Sequence, residues 1–337
     1  MKQDQHKQYQ NPLKAIFTGI SDLFRKNDKV GELKSTDRLD GKNILVTGAS
    51  SGLGYAIAVQ LAERGGTVIM ACRSGIPDKG EEIRLKTGSE KISMLYVDLS
   101  DIESIDHLVK QIKELFGTLD IVICNAGIVS RKSRLTMQGF EQMFMVNYLS
   151  NFLLINLLFD QKIIPVYGAS IPRIIFTSSE SHRNPHAFDW ENFGTYMPFT
   201  INRTMELYGY DKLLLTTFAC ELSHRLNSTE KTICSVFAYC PGPVNSNIAR
   251  EAPAVFKPLL KLIFTLFFHS PDKAAEPAVY LATSQDEEGK DIDYLFLMSR
   301  RKMDEKATDH GNGQRLWNLS EKLLRDKISF ISLLSDE

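Results

Sequence analysis

Thr47-Gly48-Ala49-Ser50-Ser51-Gly52-Leu53-Gly54 is the stretch that decides the fold. It follows the apolar run Ile44-Leu45-Val46 and opens the apolar-periodic segment Ala56-Ile57-Ala58-Val59-Gln60-Leu61-Ala62. The local order is therefore strand, tight turn, helix. Glycines at such a turn let the backbone reverse sharply, approach a pyrophosphate and pack the helix close to the strand. The unpaired N–H groups of the helix N-terminus then face the anion. A strand before and a helix after turn a generic glycine-rich loop into a dinucleotide-site candidate. Three residues separate the first two glycines and one separates the last two, which is not the G-x-G-x-x-G spacing.

Composition sets the outer limits. The 337 residues fit one large α/β domain or two small ones, and 43% hydrophobic residues suffice for a sizeable core. A formal net charge of −1, with no dense basic tract, excludes general attraction to nucleic acid. Cys72, Cys124, Cys220, Cys234 and Cys240 are scattered and form no C-x-x-C pair. That pattern suits reduced thiols in a cytoplasmic protein, not a disulfide framework or a zinc site. Residues 1–12 are polar and hold no secretory signal core. No uncharged stretch reads as long enough to span a bilayer. The most apolar segment, 258–268, contains Lys261 and reads as a buried or interfacial helix.

Residues 1–40 read as an N-terminal appendage to one domain spanning 41–337. Leu13, Ile16, Phe17, Ile20, Leu23 and Phe24 recur there at helical spacing. That face suits packing on its own domain, or docking to a membrane surface or a partner, so peripheral membrane contact stays open. From residue 41 strand-like segments at 68–71, 93–97, 120–124, 173–177 and 233–238 alternate with amphipathic stretches, notably 102–116, 138–164 and 209–226. Near-continuous apolar strands between helices predict a mostly parallel sheet covered on both faces. With no internal repeat and no linker, the expectation is a single doubly wound Rossmann-type α/β domain.

Chemistry concentrates at the expected carboxyl edge of that sheet, where open α/β folds bind ligands. The second strand ends in Ala71-Cys72-Arg73-Ser74. An acid at this point would accept from a free ribose 2′-hydroxyl, whereas Arg73 suits a 2′-phosphate. NADP(H) is therefore favoured over NAD(H). The third strand ends in Asp98-Leu99, and Asp98 reads as an acceptor for the adenine amino group or as a helix N-cap, two roles that need not exclude each other. The fourth ends in Asn125-Ala126-Gly127. Among the eleven tyrosines only Tyr208 has a lysine, Lys212, four residues later, hence on one helix face. A phenol is a weak base at neutral pH, and an ammonium beside it favours its phenolate. Ser178 or Ser179, directly after the fifth strand, can hydrogen-bond a substrate oxygen. Asn147 sits in an apolar helical stretch and needs partners for its amide, as a polar bridge or as part of a proton relay.

Together these motifs resemble the short-chain dehydrogenase/reductase family over roughly 41–300. The resemblance rests on Thr47-Gly48-x-x-x-Gly52-x-Gly54, Asp98-Leu99, Asn125-Ala126-Gly127, Asn147, Ser179, Tyr208-x-x-x-Lys212 and Pro241-Gly242. Ala71-Cys72-Arg73 and the segment Leu316 to Lys322 look like the retinol dehydrogenase-like branch. The resemblance implies Tyr208 as general acid/base, Lys212 lowering its pKa and holding the nicotinamide ribose, and Ser179 orienting the substrate oxygen. It implies Asn147 in a water relay toward Lys212, and Pro241, Gly242, Val244 and Ser246 along the nicotinamide. Thr47, Gly48, Ser50, Ser51, Gly52, Leu53, Gly54, Arg73, Asp98, Leu99, Asn125, Ala126 and Gly127 would hold the rest of the cofactor. Asp211 replaces a usual serine and is expected to point outward. His182, His186 and Trp190 are expected in a loop beside the substrate pocket, and the two histidines lack the spaced further ligand of a metal site, so no metal site is expected.

The implied function is NADP(H)-dependent interconversion of a carbonyl and an alcohol. A lid at about 250–270, rich in Leu259, Leu260, Phe264, Phe267 and Phe268, suits an apolar small-molecule substrate; the same residues equally suit core or homo-oligomer contacts. The alternative is a non-catalytic nucleotide-binding interaction protein on the same fold.

Overall fold

The structure is a computed structural model and describes residues 29–166, 170–227, 231–243 and 270–325. The 13–24 apolar face, Val244, Ser246 and the expected lid lie outside the described residues.

In chain order the core elements are β1 (Asn43–Thr47), α1 (Gly52–Glu63), β2 (Thr67–Cys72), α2 (Asp78–Thr87), β3 (Ile92–Tyr96), α3 (Ile102–Phe116) and β4 (Ile121–Cys124). The helix α4 (Gln142–Asp160) contains a π-helical turn at Met145–Leu149, and β5 (Arg173–Thr177) is followed by a 3-10 turn at Glu180–Arg183. Then come α5 (Ile201–Leu226), β6 (Ser235–Cys240), α6 (Pro271–Thr283), β7 (Asp293–Phe296), β8 (Ser299–Arg300), α7 (Glu305–Thr308) and α8 (His310–Arg325). Among the described residues the sheet has eight strands in the order 3-2-1-4-5-6-7-8. All pairs are parallel except β7 with β8. The direction of winding reverses between β1 and β4, the switch point where such sheets open a crevice.

The strands are apolar because both faces are covered. Leu45, Ile69, Val122, Ile174 and Val236 pack against α3, α4 and α5 on one side. Val46, Val68, Ile123, Ile175 and Phe237 pack against α1 and α6 on the other. Helix α3 shows the expected stripe, with Ile102, Ile105, Leu108, Val109 and Ile112 buried. Asp101 caps it by accepting from the Glu103 N–H, so the capping role considered for Asp98 belongs three residues further on.

Three elements differ notably from the sequence expectation. β6 begins two residues late because the Asn227 side chain binds the backbone of Ile233 and Cys234, holding them out of the ladder. Helix α5 begins at Ile201, where the chain is exposed and carries no apolar period. The segment 142–159 is uncharged, and α4 is long and apolar enough to cross a membrane, contrary to the expectation for this chain. It is nearly all buried, which makes it the core helix under the sheet. Of residues 29–40, Val30 pairs with Met298 at 3.0 Å and Leu39 is buried, so this part lies against the domain.

Candidate active site

The glycine turn after β1 has two kinds of constraint. Gly48 and Gly52 have φ of +67° and +57°, where a Cβ would strain the backbone. Gly54 instead supplies space: a Cβ there would lie 2.4 Å from both the Gly48 carbonyl and the Asn125 side-chain nitrogen. Ser51 caps α1 without a side-chain hydrogen bond, which leaves first-turn N–H groups of α1 uncommitted to a cap. Thr47 Oγ1 accepts from the N–H groups of Asn125 (3.0 Å) and Ala126 (3.1 Å), and Asn125 Nδ2 donates to Thr47 O at 2.9 Å. These bonds tie the turns after β1 and β4 together. Gly127 borders the pocket, since a Cβ there would stand 3.7 Å from Lys212 Nζ.

Arg73 follows β2 and is well exposed, with Nη1 3.8 Å from Asp98 Oδ2. Asp98 Oδ1 accepts from Ser100 N (2.9 Å) and Oγ (2.6 Å), which fixes the carboxylate beside the guanidinium. Leu99 is buried.

Beyond β5 the two serines diverge. Ser178 is buried and bonded to Thr216 Oγ1 at 2.7 Å, joining the strand to α5. Ser179 Oγ accepts from Ser181 N (3.2 Å) and Oγ (2.7 Å), and the hydroxyl lies near enough to the Tyr208 phenol to favour its ionised form. Tyr208 and Lys212 lie one turn apart on α5, with Lys212 Nζ 5.6 Å from the Tyr208 ring centre. Lys212 is buried and donates to Thr177 O at 2.7 Å. Burial pushes the Lys212 ammonium down to about 8, against the opposing pull of Asp211. Burial holds the Tyr208 phenol above its ordinary value; Cys240 and Asp211 add to this, and Ser179 offsets part of it.

Asn147 sits in the π-helical turn of α4, a feature frequent at functional sites. Its Oδ1 accepts from Ile128 N at 2.7 Å, and its Nδ2 donates to Ile128 O at 2.9 Å and Asp211 Oδ2 at 3.1 Å. The outward placement expected for Asp211 is thus corrected. Every residue of α5 from Asp211 to Ser223 is buried, so this stretch has no solvent face, and Asn147 supplies the carboxyl with a partner. Burial pushes the Asp211 carboxyl up to about 8, with Glu141 adding and Asn147 and Lys212 opposing.

His182 is a second correction. It is fully buried rather than in a pocket-side loop. Its Nε2 accepts from Asp304 N at 3.2 Å, so Nδ1 carries the proton and donates to Ser179 O at 2.6 Å. Burial drives its pKa down to about 4, keeping it neutral. The ring is a strut that fixes the Ser179 backbone. His186 is exposed, and Trp190 stacks on Phe188 with ring centres 4.4 Å apart. Pro241 and Gly242 follow β6 as expected, with Pro241 buried.

Sequence reasoning missed Thr177, Thr216, Cys240 and the His182 strut. Cys240 carried a usable signal, since it directly precedes Pro241-Gly242 at a strand end; its thiol is pushed up to about 11 by burial beside Glu180. What these residues assemble is a crevice at the carboxyl edge of β1, β4, β5 and β6, with a glycine cradle at one end and a phenol, hydroxyl and ammonium at the other.

A family model described as short chain dehydrogenase matches residues 42–190. Retinol dehydrogenase 13 of Mus musculus is 32% identical over 322 residues, covering 93% of this chain and 93% of its own. Polyprenol dehydrogenase of Homo sapiens is 30% identical over 280 residues, covering 82% of this chain and 83% of its own. The crystal structure of an uncharacterized protein from Mycobacterium paratuberculosis superposes with a TM-score of 0.65 at 26% identity, covering 86% of this chain and 96% of that one.

Proposed function

Because the chain belongs to the short-chain dehydrogenase/reductase family, in its retinol dehydrogenase-like branch, we propose that it interconverts an apolar carbonyl compound and its alcohol with NADP(H). Family membership makes it an oxidoreductase acting on CH–OH groups. The observation that carries the finer reading is the convergence of Ser179, Tyr208 and Lys212 beside the glycine cradle.

The residues fit a nicotinamide dinucleotide. Gly48, Gly52 and Gly54 keep the cradle free of Cβ atoms, Ser50, Ser51 and Leu53 complete it, and the uncapped start of α1 offers N–H groups to phosphate. Arg73, exposed at the end of β2, suits a ribose 2′-phosphate better than a free 2′-hydroxyl, which supports NADP(H) over NAD(H). When bound, the cofactor supplies or takes up the hydride.

The chain's own residues handle the proton and the substrate oxygen. Tyr208 gives its phenolic proton to the carbonyl oxygen during reduction and takes it back from the alcohol during oxidation. Lys212, held by Thr177 O, places a positive charge that favours the phenolate. Ser179 orients the oxygen, its backbone fixed by His182. Asn147 serves the relay toward Lys212 by holding Ile128 and Asp211 in place.

Two observations favour an apolar substrate. The relatives are named for retinol and polyprenol, both apolar alcohols. Val129, Leu135, Met137, Met197, Ile201 and Met205 are exposed on two segments that Ser133 stitches together through Phe199 N at 3.1 Å, and α5 leads from them to Tyr208. The five thiols are free and buried, which suits a reducing compartment. The non-catalytic alternative gains no support, since the residues for chemistry are present around one pocket. A panel of apolar and polar aldehydes and ketones with NADPH, read at the nicotinamide absorbance, tests the proposal. Turnover confined to polar members, or to NADH, would contradict it.

A further inference from the structure

Far from the crevice, α5 and α8 bring together Glu221, His224 and His310, whose nitrogen and oxygen ligand atoms lie within 4.8 Å of one another. Glu221 and His224 are three apart on α5, so they share a face, and His310 opens α8. Glu221 is 2% exposed, and both imidazoles reach solvent. His310 Nδ1 stands 3.0 Å from Glu221 Oε2, and the His224 and His310 rings meet edge to face at 5.2 Å.

The surroundings are built for more than an ion pair. Glu221 Oε1 is held by Arg225 Nε at 2.9 Å, leaving Oε2 to the histidine side. His310 Nε2 is 2.9 Å from the Gln314 side-chain amide. That amide can present its oxygen instead, since the two ends are interchangeable, and would then accept Nε2–H while Nδ1 is free to ligate. An outer partner on each ligand is what orients metal-binding histidines and carboxylates. Gly313 opens the space: a Cβ there would lie 2.6 Å from Glu221 Oε2.

We propose that Glu221, His224 and His310 form a divalent metal site, suited to Zn2+, that fastens the start of α8 to the end of α5. Two imidazoles and one carboxylate with a fourth position open to water are a set that Zn2+ accepts. The sequence expectation of no metal site considered His182 and His186 and not this trio, which is joined only by folding. Glu221 is nine residues beyond Lys212, so the ion lies about 13 Å along α5 from the chemistry. Its role is to fix the C-terminal helix, and it binds the folded form selectively.

The test uses chelator-treated full-length protein titrated with Zn2+, and with Co2+ as a spectroscopic probe. The expected result is one-to-one binding, an unfolding midpoint that rises with Zn2+, and four-coordinate Co2+ absorption. His224→Ala and His310→Ala each abolish these signals while retaining the apo unfolding midpoint of wild type to within a few degrees. Gln314→Leu weakens binding by about 10–100-fold. Glu221→Gln is avoided because it also breaks the Arg225 pair. Zn2+ binding equal in wild type and both alanine variants, or no binding at micromolar Zn2+, overturns the proposal. Neither outcome depends on the oxidoreductase reading.

Discussion

Asn147 and Asp211 share a buried hydrogen bond, Nδ2 to Oδ2 at 3.1 Å, one residue from Lys212. It joins the π-helical turn of α4 to α5 and places a second ionisable group beside Lys212. Burial raises the Asp211 carboxyl and lowers the Lys212 ammonium, both to about 8, while the opposite charge of each opposes the other's shift.

A pH dependence of stability follows from the sign of the Asp211 shift. A carboxyl raised from 3.8 to about 8 binds more protons in the fold than in the unfolded chain across that range. Stability therefore falls as pH rises through it, by at most about 1.4 kcal/mol per pH unit. His182, lowered from 6.5 to about 4, acts oppositely but only below 6.5, where its stability contribution is lost as pH falls. Between pH 6.5 and 8 the Asp211 effect stands alone of these two. Asp211→Asn should gain stability relative to wild type as pH rises from 6.5 to 8, measured by urea unfolding. A constant difference across that window would refute the buried, protonated carboxyl.

The proposed preference for NADP(H) rests on Arg73. Removing it loses charge-assisted contacts worth about 1.5–3 kcal/mol, so the NADP(H)-to-NAD(H) ratio of kcat/KM in Arg73→Ala should fall roughly 10- to 100-fold. Steady-state kinetics with both cofactors measure this. An unchanged ratio would remove Arg73 from the 2′-phosphate site.

Gly54→Ala tests the cradle through packing. The new Cβ would press on the Gly48 carbonyl and Asn125 amide, both at 2.4 Å. The backbone must move, at a cost of about 1–3 kcal/mol. Unfolding should shift accordingly, and nucleotide binding by fluorescence titration should weaken. Full stability with full affinity would show that the turn tolerates a side chain.

Much of this was legible along the chain because short-range pattern carried it. The glycine turn, the α3 stripe and the Tyr208–Lys212 spacing are local, and the structure places each as expected. β7 and β8 were not anticipated, because Asp293–Phe296 is short, begins with an acid and becomes a strand only by pairing with β6. Asp211 was misplaced for a related reason: helical phase says which way a side chain points, but not that α4 and the sheet cover that direction as well. His182 became a strut only through Asp304, distant in sequence, so no spacing rule could reveal it.

The central claim is that Tyr208 transfers the proton. Tyr208→Phe removes only the hydroxyl and keeps the ring beside Lys212, so nucleotide affinity should stay near that of wild type. Its kcat for the best apolar carbonyl substrate with NADPH should fall about 10²- to 10⁴-fold, the usual share of a general acid. A variant that binds NADPH normally and turns over at the wild-type rate would contradict the account.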